Sequence, residues 1–380
     1  MVTVAFRYVR MVILSALFFA YLLFPSLYRI GDYVRQTNPW SGQKYVELAF
    51  SPIQAELACL YGHPIPGADS HYRDEHGVQV STARTNTTAV TEPIPNIVHF
   101  IFGLQNPLRN PQAGHFDFLC YLAVRSAIVS LRPDTIYLHY TYLPSDHSNN
   151  NTNVDDPMNN PWIRRLSKHI RLIHHPPPAT DNNNIQYSHL SDMMRLQFLL
   201  EKGGIYLDMD AFALRSFHDL LNPPAGRDVV LGHEGGNRWG LCNGIMAARP
   251  NSTFVSRWLA SYEHVDFSRE WNYHSVRLPK KLAGLHPSEI CALAPDAFFW
   301  PTWTWRHVHW MHEELDTNTT QFWQEKIDRH GGSLFGNQVA YHAWSQMAWD
   351  RHLSGLTPEV VRRKDTRFNL LVRQFMEEDL

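Results

Sequence analysis

Residues 191–210 read Ser-Asp-Met-Met-Arg-Leu-Gln-Phe-Leu-Leu-Glu-Lys-Gly-Gly-Ile-Tyr-Leu-Asp-Met-Asp, and this stretch decides the fold. Leu196, Leu199 and Leu200 recur at helical spacing, which predicts a helix with Ser191 as its N-cap. Gly203 and Gly204 end it, since glycine tolerates the left-handed backbone of a C-cap. Ile205-Tyr206-Leu207 is then a short apolar strand that delivers Asp208 and Asp210 at its C-terminal end. A strand period of two turns both carboxylates to one face. Two acids on one face are costly unless a cation sits between them, and a divalent metal ion is the usual answer. The competing structural reading makes the pair caps of a following helix.

Outward from this unit the chain alternates. Residues 97–102 read as a buried strand closed by Gly103, 116–131 as a helix, 135–142 as a strand, 162–169 as a helix and 170–173 as a third strand. Beyond the acids, 229–233 and 244–248 are predicted strands, 252–262 a helix and 340–344 a late strand. The asparagine-rich loop at 145–160 reads as solvated, and a proline-bearing loop at 174–188 leads into the central helix. Strands alternating with helices imply an α/β fold with a mostly parallel central sheet flanked by helices. Ligands of such sheets gather beyond the carboxyl ends of the strands, where Asp208 and Asp210 lie.

The 380 residues are 44% hydrophobic and 18% charged, enough for a large core. A formal net charge of −2 argues against a nucleic-acid partner. Residues 11–28 are almost wholly apolar, with Arg7 and Arg10 before them and Arg29 after. A bilayer takes about 20 apolar residues as a helix, and basic residues ahead of the span favour a cytoplasmic N-terminus. No convincing cleavage site follows. The expected organisation is a cytoplasmic tail at 1–10, a transmembrane signal anchor at 11–28 and a luminal stem at 29–92 with a short helix in 45–60. The catalytic domain follows at 93–350, with a helix or tail at 351–380. A single-pass type II protein of the Golgi or ER membrane is expected. Sequons at Asn86, Asn150, Asn251 and Asn318 fit a luminal glycoprotein. Cys59, Cys120, Cys242 and Cys291 lack Cys-x-x-Cys spacing, which argues against zinc; disulfides and free buried thiols both stay open.

Ser191-Asp192-x-x-Arg195 followed by Gly203-Gly204-Ile205-Tyr206-Leu207-Asp208-x-Asp210 resembles the DXD-containing sugar-binding region of family 32 glycosyltransferases. Residues 94–103 are similar to that family's opening strand, and Tyr341-His342-Ala343-Trp344 with Trp349 to its C-terminal His/Trp segment. The resemblance implies a GT-A-like fold and retaining transfer of a hexosyl group from a nucleotide-sugar donor, with Mn2+ or Mg2+. The acceptor would be a hydroxyl of a glycan, a lipid or a small molecule. It implies that Asp210 ligates the metal and that Asp208 contacts ribose and sugar or the metal through water; His342 is the candidate for a third ligand or a diphosphate contact. Asp192 and Arg195 would grip the donor sugar, their mutual salt bridge holding Arg195. His99 and Ile101, with the rest of 99–102, would line the nucleobase pocket. Asn243 and Trp344 would complete the donor site. Asp208, Asp210 and Arg195 are thus the candidate catalytic residues. With no carboxylate nucleophile securely placed, front-face attack is the expected mechanism.

Plainer readings stand beside these. Asp192 and Arg195 form an ordinary surface helix pair, His342 is a core histidine, and Asn243 is a turn residue before Gly244. Trp271, Trp300, Trp303, Trp305 and Trp310 fall outside the matched motifs; they are core, or an acceptor platform near 300–305. An aspartyl-nucleophile phosphatase also carries Asp-x-Asp after an apolar strand. It needs a Ser or Thr where Ala211-Phe212-Ala213 stand. A non-catalytic sugar-binding protein is the other alternative.

Overall fold

The structure is a computed structural model. It describes residues 52–60, 92–106, 115–143, 156–177, 187–224, 226–263 and 272–380, with scattered positions between 11 and 50. The expected anchor and stem lie largely outside the described residues, as do most of the asparagine-rich loop, Trp271, Asn86 and Asn150. Among the described residues no helix is long and apolar enough to cross a membrane.

Seven strands form one sheet in the order β3-β2-β1-β4-β7-β6-β8. They are β1 (Ile97–Phe102), β2 (Thr135–Tyr140), β3 (Ile170–His174), β4 (Gly204–Leu207), β6 (Val229–Glu234), β7 (Gly240–Ala248) and β8 (Ile290–Leu293). The β1–β2, β2–β3, β1–β4 and β6–β8 pairs are parallel, so the sheet is mostly parallel, as expected. The antiparallel member is β7, which pairs with β4 and β6. It follows β6 through the turn 235–239, and so short a connection returns a strand only antiparallel. β8 has no counterpart in the sequence reading.

Side chains alternate across this sheet and fill a core on each face. Val98, Phe100, Ile205, Leu207, Val230, Ile245 and Ala247 join the larger core with the helix Phe118–Ser126. Ile101, Tyr206, Leu231 and Met246 face the other, covered by the helices Tyr187–Lys202 and Thr253–Ala260. Leu196 and Leu199 are fully buried there, each contributing about 1.5–3 kcal/mol. The helix starts at Tyr187, four residues before the expected cap. Ser191 therefore lies inside it and does not cap it; its hydroxyl accepts from Arg195 Nη2 at 3.0 Å.

Gly203 (φ +66°) and Gly204 (φ +103°) make the sharp reversal from helix to β4. A Cβ on Gly204 would stand 2.4 Å from the Ile97 carbonyl oxygen, so glycine is required by space as well as by φ. A chain of histidines buttresses this turn. His99 Nε2 lies 3.1 Å from the Gly203 carbonyl, His99 Nδ1 3.1 Å from His139 Nε2, and His139 Nδ1 2.9 Å from His175 Nε2. A carbonyl only accepts, so His99 donates through Nε2, and each neutral ring in turn accepts at Nδ1 from the next. Burial pulls His99 down to about 4 and His139 to about 3. Both native values lie below the unfolded 6.5, so the unfolded chain binds more protons below that pH. Stability is whole above pH 6.5 and falls as pH drops toward 4, by up to about 1.4 kcal/mol per pH unit for each ring. Thermal unfolding from pH 7.5 to 4.5 checks this: Tm falls below pH 6.5, less steeply in His139→Gln, and a flat profile contradicts it.

The N-terminal helix Gln54–Leu60 is joined to the sheet by the Cys59–Cys291 disulfide, whose Cα atoms are 5.4 Å apart. Cys120 and Cys242 are free and buried. At the other terminus, Pro358–Arg363 and Arg367–Val372 are short helices rather than a charged tail. Phe368, Leu371, Val372 and Phe375 are fully buried in the larger core.

Candidate active site

Asp208 directly follows β4, in a turn where the Ala211 N–H donates to the Asp208 carbonyl at 2.9 Å. This turn, not strand alternation, brings the two carboxylates together. No helix follows to be capped: β5 (Ala211–Ala213) pairs antiparallel with β9 (Ala340–His342), with Ala211 opposite His342. That pairing carries His342 back across about 130 residues to the acids. Its Nε2 lies 3.5 Å from Asp208 Oδ2 and 3.4 Å from Asp210 Oδ1. One ligand atom from each of the three residues falls within 4.8 Å of the others.

Each acid is held from behind. The Ser345 N–H donates to Asp210 Oδ2 at 2.7 Å, leaving Oδ1 toward His342. The Tyr206 hydroxyl donates to Asp208 Oδ1 at 2.7 Å, and Arg195 Nη1 pairs with the same oxygen at 3.0 Å. Burial works against the Asp208 charge, but Arg195, His342 and Tyr206 outweigh it and hold the carboxyl below its usual range. His342 is likewise buried, yet Asp210 and Asp208 raise its pKa. The Trp344 N–H donates to His342 Nδ1 at 3.2 Å, so a neutral ring carries its proton on Nε2, facing both carboxylates. Ligation through Nε2 would move that proton to Nδ1 and give up the Trp344 bond. Two carboxylates and an imidazole at this spacing suit a hard divalent ion.

Arg195 is almost wholly engaged by the protein. Nη1 also donates to the Asn243 carbonyl at 2.8 Å and to its side-chain oxygen at 3.2 Å; Nε donates to the Ser191 carbonyl at 3.3 Å. Its guanidinium lies 4.4 Å from the Tyr206 ring centre. Its nearest carboxylate is Asp208, not Asp192, which stands 3.6 Å from Nη2. Asn243 bridges instead, donating to Asp192 Oδ1 at 2.7 Å. Arg195 is therefore a positioning residue for Asp208, and the Asp192–Arg195 pair is buried rather than a surface pair.

Asn243 sits in β7, not at a turn. β7 pairs Met246 with Leu231 and then Cys242 with Gly232, so residues 243–245 bulge from the β6 ladder. The bulge turns the Asn243 carbonyl to Arg195 and the Gly244 carbonyl to the Asp208 N–H at 2.8 Å. A Cβ on Gly244 would stand 2.9 Å from Asp208 Oδ2 and 3.0 Å from the His342 ring. Gly244→Ala is therefore expected to lower activity at least about tenfold by displacing both side chains, while costing stability only about 1–3 kcal/mol. Turnover measured beside a denaturant midpoint checks this; unchanged turnover contradicts it.

Three expected residues support the site or the core from beneath. His99 is fully buried, its ring stacked 5.4 Å from Tyr137 and both nitrogens engaged, so it holds the Gly203 turn rather than lining an open pocket. Ile101 is buried in the second core. Trp344, buried at φ +54°, packs 4.4 Å from the His342 ring and donates through Nε1 to the Pro301 carbonyl at 2.8 Å. Tyr206 and Ser345 also belong to the site, through their contacts with Asp208 and Asp210. Tyr206 was readable, since residues two apart on a strand share a face; the Ser345 backbone contact depends on the β5–β9 pairing.

Fold and site together define an α/β protein with a candidate Asp-Asp-His cation site at the carboxyl edge of its sheet. A family model described as "Glycosyltransferase sugar-binding region containing DXD motif" matches residues 122–228. "Glucan organizing enzyme 1" of Cryptococcus neoformans var. grubii serotype A is 34% identical over 293 residues, covering 74% of this chain and 71% of its own. The chain belongs to this family of DXD-containing, family-32-like glycosyltransferases, and it is an enzyme of that class. That sets aside the phosphatase and non-catalytic readings. Among solved structures, the PaToxG glycosyltransferase is 15% identical, with 74% of this chain and 88% of that one covered and a TM-score of 0.37. The apo form of the glycosyltransferase GlyE of Streptococcus pneumoniae TIGR4 is 13% identical, with 74% and 61% covered and a TM-score of 0.41.

Proposed function

We propose that this chain is a metal-dependent, retaining glycosyltransferase of the GT-A type, moving a hexosyl group from a nucleotide sugar to an acceptor hydroxyl. The convergence of Asp208, Asp210 and His342 within 4.8 Å carries this reading. These three would hold Mn2+ or Mg2+, which supplies positive charge to the diphosphate of the donor. The protein's part is to fix the donor set. Tyr206 and Arg195 lock Asp208, the Ser345 N–H locks Asp210, and the Gly203–Gly204 turn fixes where β4 starts. Asp192, bound by Asn243, is the polar group beside Arg195 that would meet the donor sugar. In front-face transfer, the acceptor oxygen bonds to the anomeric carbon on the side from which the diphosphate leaves. The bond to the diphosphate breaks, and a diphosphate oxygen takes the acceptor proton.

The secretory pathway is the proposed location, with residues 11–28 as the membrane anchor. The apolar run flanked by Arg7, Arg10 and Arg29 supports it, and a Cys59–Cys291 disulfide suits an oxidising compartment. The test is hydrolysis of GDP-mannose, UDP-galactose, UDP-glucose and UDP-N-acetylglucosamine by the full chain, with Mn2+, Mg2+ or chelator. At least one donor is turned over with metal and none with chelator; no turnover of any sinks the reading.

A further inference from the structure

Large apolar side chains exposed among the described residues beyond 11–28 mostly sit singly on separate elements, as Val129, Leu285 and Phe322 do. Single exposed residues are ordinary. Trp305, Met347 and Trp349 are different, because two neighbouring stretches carry them. Trp305 opens the helix Trp305–His312, and Met347 and Trp349 lie in residues 345–353. Two contacts lay these stretches side by side and in the same direction. Trp344 Nε1 donates to the Pro301 carbonyl at 2.8 Å, and the His352 ring stacks on His312 with centres 4.7 Å apart. Trp305 is 59% exposed, Met347 47% and Trp349 38%. Met347 and Trp349 follow closely on Ser345, whose N–H holds Asp210, so this surface borders the candidate metal centre.

The N-terminal segment enters the fold at the same place. Trp300 Nε1 donates to the carbonyl of the buried Val46 at 3.0 Å. The Trp300 ring also meets Phe50, with centres 4.7 Å apart, and His307, at 4.6 Å. His307 belongs to the helix that Trp305 opens. Further along, the segment is fixed by Glu56, whose Oε2 accepts from Arg238 Nη2 at 2.9 Å, and by the Cys59–Cys291 disulfide. The apolar run at 11–28 therefore leads into the fold beside Trp305. From Tyr28 to Val46 the chain spans at most about 65 Å even when fully extended. A connection of that length holds its two ends together at an effective concentration of about millimolar, so a weak contact suffices.

We propose that Trp305, Met347 and Trp349 form a membrane-docking surface, and that its partner is the phospholipid bilayer that holds residues 11–28. Indole rings favour the boundary between headgroups and acyl chains, where an apolar body and a polar N–H are both accommodated. Arg306 is exposed, with its guanidinium 5.1 Å from the Trp305 ring centre, and Arg351 is exposed two residues beyond Trp349. Both can reach headgroup phosphates while their stems lie on apolar surface. Asp350 is exposed beside them, so apolar contact rather than net charge drives the docking. The point at which the connection enters the fold favours the bilayer over a freely diffusing partner. The inference rests on the anchor reading above and adds an orientation: the edge of the sheet that carries the metal centre faces the membrane.

The test uses the full chain in phosphatidylcholine vesicles whose acyl chains carry bromine near the headgroup, a quencher of indole fluorescence. Residues 11–28 contain no tryptophan, and Trp40→Phe, made in every sample, removes the one between the anchor and Val46. The parent is quenched relative to vesicles without bromine. The Trp305→Gln, Trp349→Gln double variant loses that quenching. Trp305→Gln alone lowers it and serves if the double variant does not fold. A chain that does not float with the vesicles overturns the anchor reading and the docking surface together. A chain that floats but is unquenched, or is quenched equally in parent and variants, overturns the docking surface and leaves the anchor standing. An unquenched parent that is dimeric in detergent, with a monomeric Trp305→Gln variant, also overturns it and assigns the surface to a second copy of the chain.

Discussion

Asp210→Asn is expected to lower metal-dependent turnover by about a hundredfold to a thousandfold while leaving the fold intact. The side chain is buried, with Oδ2 taking the Ser345 N–H at 2.7 Å and Oδ1 facing His342 at 3.4 Å. An asparagine fills the same volume and keeps one carbonyl oxygen. That oxygen is claimed by Ser345, so the amide NH2 turns toward His342 and Asp208. Charge and lone pair are lost together at the point where a cation would be held. Stability should not fall, because Asp208 loses a like-charged neighbour. Turnover at saturating Mn2+, compared with Tm, checks this. A variant that keeps a tenth of its activity or more contradicts the assignment of Asp210.

Arg195→Met is the second large effect, and it is one of stability as well as activity. The guanidinium neutralises Asp208 at 3.0 Å and Asp192 at 3.6 Å, fills the space over Tyr206 and donates to Asn243 and Ser191. Methionine restores the volume but leaves the buried Asp192 and the partly buried Asp208 without their counter-charge, and such a loss costs about 3–5 kcal/mol. Lysine would not repair it, since an ammonium cannot reproduce the planar fork that reaches Asp208, Asn243 and Ser191 together. Adding Asp208→Asn to Arg195→Met should recover a large part of the lost stability but none of the activity. Denaturant midpoints of the two single variants and the double variant close this cycle. A loss below about 1 kcal/mol, or no recovery in the double variant, shows that Arg195 does not hold Asp208.

The helix, glycine reversal and strand of 191–210 were readable because each depends on neighbours in sequence: leucines at helical spacing, paired glycines, then a short apolar run. The edges of that reading failed where tertiary packing takes over. Ser191 has the chemistry of a cap, yet the helix extends back to Tyr187 and leaves its hydroxyl to Arg195. Helical spacing pairs Arg195 with Asp192, but β4 brings Asp208 closer. The pairing of His342 with the acids depends on the two-stranded β5–β9 ladder, which no local pattern encodes. Asn243 reads as a turn residue beside Gly244, although the chain there is a strand that bulges. His99 and Trp344 sit in matched motifs and shape the site from beneath it, one through the Gly203 carbonyl and the other against His342. A motif marks which residues a site needs without separating those that touch a ligand from those that hold its walls. The tryptophans divide in the same way: Trp300 and Trp310 are core, whereas Trp303 reaches Glu234 and Trp305 stands in solvent.

Asp208, Asp210 and His342 are proposed to form one divalent-metal centre that receives a nucleoside diphosphate. Crystals of the full chain grown with Mn2+ and UDP or GDP, recorded at the manganese absorption edge, test it most directly. A single strong anomalous peak is expected within ligand distance of Asp210 and His342, with the diphosphate against it, and no peak in Asp210→Asn. A diphosphate bound elsewhere, or manganese absent from these three side chains while the nucleotide is bound, would contradict it.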